Sequence, residues 1–329
     1  MRSGDNSGVS ELVNLEAIQE ARERLARFLP PTPLVLSAPL TCATGRKVWL
    51  KLETQQPTGS FKMRPALNGA LAHLEECRLH GVVTSSSGNF AQAVAYASRE
   101  LGLDVQIVMT AGSSLYKIAQ TEALGGKVVL CGNSFEERWE TTHRIVRETG
   151  RVLLHPYDSP ETIAGDGTVG LELLEQLPGE FTVVVPVSGG GLIAGIATAI
   201  KLKRPGCVVV GVQPEANGSL YRSLEAGRRV NVGPIQTIAD ALVASMPGER
   251  AFEIAHQRVD RVVLVSEEEI AEAVRRLATE QKIVAEPGGA VGVAALLSGK
   301  LSAGAGDVVC IVSGGNVMAS TLARLLEGA

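Results

Sequence analysis

The segment Pro57-Thr58-Gly59-Ser60-Phe61-Lys62-Met63-Arg64 sets a lysine directly behind a turn of small residues. This spacing predicts that Lys62 opens a helix continuing through residues 66–74. An ammonium at that place faces the positive end of the helix dipole, which disfavours the charged form. A lysine held closer to neutrality is what a Schiff-base nucleophile needs. A solvated surface lysine fits the same letters, so this segment by itself leaves both readings open.

Three more segments carry residues of chemical interest. Thr84-Ser85-Ser86-Ser87-Gly88-Asn89-Phe90-Ala91 follows a β-branched run and precedes a helical one. Its hydroxyls suit anion and ring recognition at a helix N-terminus, and equally suit an ordinary cap. Pro186-Val187-Ser188-Gly189-Gly190-Gly191-Leu192-Ile193-Ala194 is a glycine-rich turn of the kind that cradles phosphate on backbone N–H groups. Gly189, Gly191 and Ala194 also match a dinucleotide pattern, but that pattern needs an acid at the end of the next strand. The next strand ends in Gln213, which weakens a nicotinamide reading and leaves a monophosphate. Finally, Cys310-Ile311-Val312-Ser313-Gly314-Gly315-Asn316 ends a strand on a serine and two glycines, where a flat ligand or a plain turn would both fit.

The elements that position these segments alternate. Candidate strands at 48–52, 81–85, 105–109, 127–130, 152–155, 181–186, 207–212, 261–265 and 308–312 are mostly continuous apolar runs. Such runs mark strands covered on both faces of a parallel sheet. Helical periods lie between them, beginning with the face formed by Leu15, Ile18, Ala21, Leu25 and Phe28 behind a cap at Asn14. Pro30, Pro31 and Pro33 stop that helix. The class is therefore α/β and doubly wound.

Composition narrows the function. The 329 residues correspond to about two domains or one large one. With 45% hydrophobic residues the chain has ample material for a core, so global disorder is excluded. A net charge of −4 without a basic cluster disfavours nucleic acid. No apolar run reaches the length that spans a membrane, and the first fourteen residues do not read as a secretory signal. Five scattered cysteines without a CxxC pair predict a reduced, cytoplasmic chain. The histidine spacings offer no zinc motif.

Taken in order, PTGSFKMR (57–64), SSSGNFAQA (85–93), IAGDGTVGLE (163–172), SGGGLIAGIA (188–197), TIAD (237–240), EPGGAVGVAALLSGK (286–300) and VSGGNV (312–317) resemble one family. It is the pyridoxal-phosphate-dependent serine/threonine dehydratase and serine racemase family, of the tryptophan-synthase β-subunit fold. The resemblance implies two doubly wound lobes with mostly parallel sheets and pyridoxal 5′-phosphate in the cleft between them. The large lobe would be 1–60 with 152–329, and the small, mobile lobe 61–151. The chain would be a short form without a C-terminal regulatory domain.

By the same resemblance Lys62 would carry the cofactor as a Schiff base and take the Cα proton. Phe61 would pack beside the ring, Asn89 would bond its hydroxyl, and Ser313 would meet its nitrogen. Ser188, Gly189, Gly190, Gly191 and Leu192 would bind the phosphate. Ser86, Ser87, Gly88, Asn89 and Phe90 would receive the substrate. Ser87 aligns with the opposite-face acid of the family's racemases. The implied reaction is β-elimination of a β-hydroxy amino acid such as L-threonine or L-serine to a 2-oxo acid and ammonia. A larger or less common substrate (3-hydroxyaspartate, phenylserine, a hydroxyectoine derivative) and amino-acid racemisation are the alternatives. A homodimer in the cytoplasm is expected, with neither nucleic acid nor membrane as partner.

Some residues depart from the family pattern. Phe90 replaces the usual histidine, Asp166 a glutamine and Ala241 a glycine. The segment 113–117 lacks the usual Pro-Lys start, so Tyr116 or Lys117 could reach the substrate. Gln213 and Ser219 stand where metal-binding members carry carboxylates, so no divalent metal site is expected, because hard cations want carboxylate oxygens.

Overall fold

The computed structural model describes residues 13–301 and 306–328. Residues 1–12, which hold most of the segment read as no secretory signal, lie outside the described residues. The chain runs α1 (Leu15–Leu25), β1 (Leu34–Leu36), α2 (Ala38–Thr44) and β2 (Val48–Leu52). Next come α3 (Met63–Ala72), α4 (Leu74–His80), β3 (Val82–Ser85), α5 (Asn89–Leu101), β4 (Val105–Thr110), α6 (Leu115–Ala123), β5 (Lys127–Cys131), α7 (Phe135–Thr149) and β6 (Val152–Leu153). The remainder is α8 (Pro160–Gln176), β7 (Phe181–Pro186), α9 (Gly191–Lys203), β8 (Val208–Pro214), α10 (Ser219–Ala226), α11 (Glu249–Arg258), β9 (Arg261–Val265), α12 (Glu267–Gln281), α13 (Pro287–Leu297), β10 (Asp307–Val312) and α14 (Ala319–Glu327).

Two sheets result. The first has six strands in the order β1-β2-β10-β7-β8-β9, and the second four in the order β5-β4-β3-β6. Among these strands all pairings are parallel except that of β1 with β2. The continuous apolar runs have the expected cause: every residue of β7 is buried, with helices on both faces of the sheet. Separate apolar clusters flank the six-stranded sheet and the four-stranded one.

Three differences from expectation have local causes. β1 is a short antiparallel edge strand whose Val35 and Leu36 stay exposed, so no burial pattern announces it. The helix expected through residue 74 breaks at His73, where the backbone leaves helical geometry before α4. Residues 152 and 153, expected in the large lobe, form β6 and pair with Val82 and Val83 of β3 in the four-stranded sheet.

A buried ionic knot joins β2, the turn after it, α3 and α8. Arg64 binds both Glu53 and Glu172, and Lys51 also binds Glu172. Two cations meet two carboxylates there, with Thr32, Thr168 and Gln176 supplying further hydrogen bonds. Burial disfavours the charge on Arg64, but its two carboxylates win and raise its pKa.

Candidate active site

Lys62 is the residue from which α3 starts, as expected. Its Nζ donates to the carbonyl oxygen of Pro156 at 2.6 Å. The ammonium lies 4.7 Å from the centre of the Phe61 ring and 5.4 Å from that of Phe90. Burial lowers its pKa, and the neighbouring Asp166 opposes that shift. The amine is thus pressed toward its neutral, nucleophilic form by desolvation. Phe90, expected at the substrate, is only 2% exposed, belongs to the same apolar cluster as Met63 and Leu67, and keeps its ring beside Lys62 Nζ.

The three loops singled out in the sequence follow strand ends, where ligands gather in parallel sheets. α5 begins after Gly88 with no side-chain cap. Ser86 Oγ accepts from Gly88 N at 3.4 Å, and Ser87 Oγ accepts from Ser113 Oγ at 2.8 Å. α9 likewise begins without a side-chain cap, behind Gly190 at φ 98°. That left-handed conformation favours glycine. The first N–H groups of a helix have no partner within it, so an uncapped start offers them to an anion. Gly189 lies flat on the Tyr157 ring, where any Cβ would overlap it. Ser188 Oγ accepts from Ala244 N at 3.2 Å, and Leu192 turns its side chain into the core.

Ser313 closes the end of β10, and its carbonyl accepts from Phe61 N at 2.9 Å. Ser60 forms a bridge with Gly314, so the lysine turn and the 313–316 loop are clamped together. Asn89 reaches the same loop. It donates to Glu286 Oε1 at 2.7 Å and accepts from Asn316 Nδ2 at 2.8 Å. Burial pushes the Glu286 carboxyl up to about 8.

Sequence reasoning passed over several of these groups. Tyr157 and Pro156 carried no signal beyond a turn-forming Pro-Tyr-Asp-Ser-Pro run. His155 stacks on Trp139 at 4.9 Å between ring centres, and burial drives its pKa down to about 4. Lys117, which could have reached a substrate, pairs instead with Asp240 at 2.7 Å. Asp166 was noticed only as a departure, yet it is fully buried, and neither carboxylate oxygen has a hydrogen-bond partner among the described residues. Burial pushes its pKa up to about 7, although Lys62 and Arg64 pull it down.

The residues present fit pyridoxal phosphate. A desolvated amine, an uncapped glycine cradle and a serine at a strand end are linked by the Ser60–Gly314 clamp and by Asp166, which lies against Gly191 and acts on Lys62 through its charge. No group of three or more His, Cys, Asp or Glu residues suited to a metal occurs among the described residues. Gln213 spends its amide oxygen on Leu220 N and Tyr221 N and its amide nitrogen on Ser219 Oγ.

The family model for pyridoxal-phosphate dependent enzymes matches residues 25–314. An L-threonine ammonia-lyase of Thermotoga maritima is 45% identical over 317 residues, covering 96% of this chain and 79% of the relative. A catabolic L-threonine dehydratase of Staphylococcus aureus is 40% identical, covering 97% and 93%. Among solved structures, maize serine racemase superposes with a TM-score of 0.91 at 35% identity, covering 96% and 98%.

Proposed function

This chain belongs to the family of pyridoxal-phosphate dependent enzymes, and on that premise we propose that it is an ammonia-lyase acting on β-hydroxy amino acids, L-threonine first and L-serine second. The observation that carries the reading is the convergence of a desolvated Lys62 with an uncapped glycine cradle, in a chain 45% identical to a threonine ammonia-lyase.

Bound at this site, the cofactor supplies an electron sink for the charge that develops at the substrate Cα. Lys62 would hold it through Nζ, and the same atom would take the Cα proton. Pro156 O fixes where Nζ stands, and the Phe61 and Phe90 rings keep water from it. The N–H groups of Gly189, Gly190, Gly191 and Leu192 hold the phosphate, with Ser188 at the rim. Ser86, Ser87, Gly88 and Asn89 receive the substrate carboxylate at the start of α5. Ser313 would offer a neutral hydroxyl to the ring nitrogen, which would favour elimination over transamination because a hydroxyl does not stabilise a ring cation as a carboxylate does. Ser87 serves as the opposite-face acid for a minor racemase activity.

Two lobes, each built on one of the sheets, would close on the substrate from either side, the smaller spanning residues 61–151 with β6 added. Five unpaired cysteines support a reducing compartment, the cytoplasm. No helix among the described residues is long and apolar enough to cross a membrane. The homodimer rests on the family resemblance. Measuring 2-oxo acid release from threonine, serine, 3-hydroxyaspartate and phenylserine, in both enantiomeric series, tests the assignment. L-Threonine should be the best substrate, and no release from any of them would refute it.

A further inference from the structure

Asp166 is a buried carboxyl without a hydrogen-bond partner among the described residues, set in the interior of α8. Such a group is costly and calls for an explanation. α8 and α9 touch closely, since a Cβ on Gly195 would collide with the backbone of Gly167. This contact brings the Asp166 side chain against the first residue of α9. A Cβ on Gly191 would stand 3.0 Å from Asp166 Oδ2. The carboxyl therefore lies at the uncapped N-terminus that the proposed function gives to the phosphate.

The charged groups around Asp166 are few. Lys62, from the turn before α3, and Arg64, from α3, favour its ionised form, and Glu53, from the turn after β2, opposes it. Arg64 and Glu53 already engage each other, and Arg64 also holds Glu172. From the segment before α8, the backbone carbonyl of Tyr157 faces the same spot on Gly191. Lys62 spends its hydrogen bond on the Pro156 carbonyl and not on a carboxylate.

We propose that Asp166 and the phosphate bound at the start of α9 share one proton, so that a phosphate monoester enters this site together with a proton taken from solvent. This rests on the phosphate reading of residues 188–192. The physical reason is that two adjacent buried anions cannot both stay ionised. Only bonds to hydrogen change: one proton leaves bulk water and is held between a carboxylate oxygen of Asp166 and a phosphate oxygen. The free site has Asp166 titrating near neutrality, so it holds the proton in acid and lacks it in alkali.

The experiment uses apoenzyme and pyridoxine 5′-phosphate, which has the ring and phosphate but no aldehyde to react with Lys62. Calorimetry in two buffers of different ionisation enthalpy counts protons, and the same titrations give Kd. Wild type should take up about one proton more per site than Asp166→Asn at about pH 8, and an equal number at about pH 6. Its Kd should rise about tenfold more per pH unit than the variant's above neutrality. Equal proton counts in the two proteins at the higher pH overturn the proposal while leaving the phosphate cradle intact. Absence of saturable binding to wild type overturns both. If the variant does not fold, wild type is read by itself at about pH 8, where the free phosphate is already a dianion: uptake of about one proton supports the shared proton, and no net uptake there contradicts it.

Discussion

Asn89 donates its side-chain amide to Glu286 Oε1 at 2.7 Å across 197 residues of sequence. The other end of the same amide accepts from Asn316 Nδ2 at 2.8 Å. The orientation of Asn89 is therefore set by two residues that come from the far end of the chain. Asn316→Ala should free the amide and cost about 1 kcal/mol of ordering, a roughly fivefold weaker cofactor Kd. Titrating apoenzyme with cofactor by visible absorption measures it, with circular dichroism unchanged.

The ionic knot around Arg64 is stability, not chemistry. Glu172→Ala leaves Lys51 and Arg64 short of a carboxylate in a dry place. Unfolding in urea should show a loss of about 3–5 kcal/mol. Lys117→Ala removes a pair that is open to solvent, and the same measurement should register less than about 1 kcal/mol.

Gly189 has no room for a side chain above Tyr157. Gly189→Ala should push the ring aside, distort the cradle and weaken cofactor binding by about tenfold or more, a change of ~1.4 kcal/mol. Adding Tyr157→Ala should recover part of the loss, which would separate a steric effect from general damage.

Asp166 makes the apoenzyme's stability depend on pH in a defined direction. Its folded pKa, about 7, lies above the usual carboxylate value. The folded state then binds the extra proton, so this contribution is complete in acid and is lost as pH rises toward 7. Asp166→Asn should gain on wild type over that window and hold a constant lead above it. His155 works in the opposite sense: with its pKa lowered to about 4, its contribution is complete above its ordinary value and fades as pH falls. Thermal melts across pH show the two slopes, the first as wild type minus Asp166→Asn and the second as wild type minus His155→Gln.

Gln213 and Ser219 use their polar atoms on one another and on backbone groups. Treatment with a chelator should leave both melting temperature and 2-oxo acid release unchanged. A fall in either, restored by a divalent cation, would contradict this.

Much of this was legible in the sequence for a physical reason. Strands covered on both faces are continuous apolar runs, and the turns after them carry the chemical residues, so Lys62 and Asn89 could be placed at helix starts and Gly190 and Ser313 in turns. What stayed hidden depends on tertiary contact. Tyr157 matters only because Gly189 is folded against it, and Asp166 only because α8 and α9 pack glycine to glycine. The burial of Phe90 was equally hidden, since it follows from α5 turning that face into the core, although its ring stays beside Lys62. The sheet that β6 joins is not legible either, because two residues carry no mark of the strand they will pair with.

The central claim is that Lys62 is the residue that carries pyridoxal phosphate. Borohydride reduction of the holoenzyme, followed by mass mapping of its peptides, tests it directly. The account predicts the reduced cofactor on the peptide containing Lys62, and neither label nor 2-oxo acid release in Lys62→Ala. A label on Lys51, Lys117 or another lysine, with activity retained in Lys62→Ala, would contradict it.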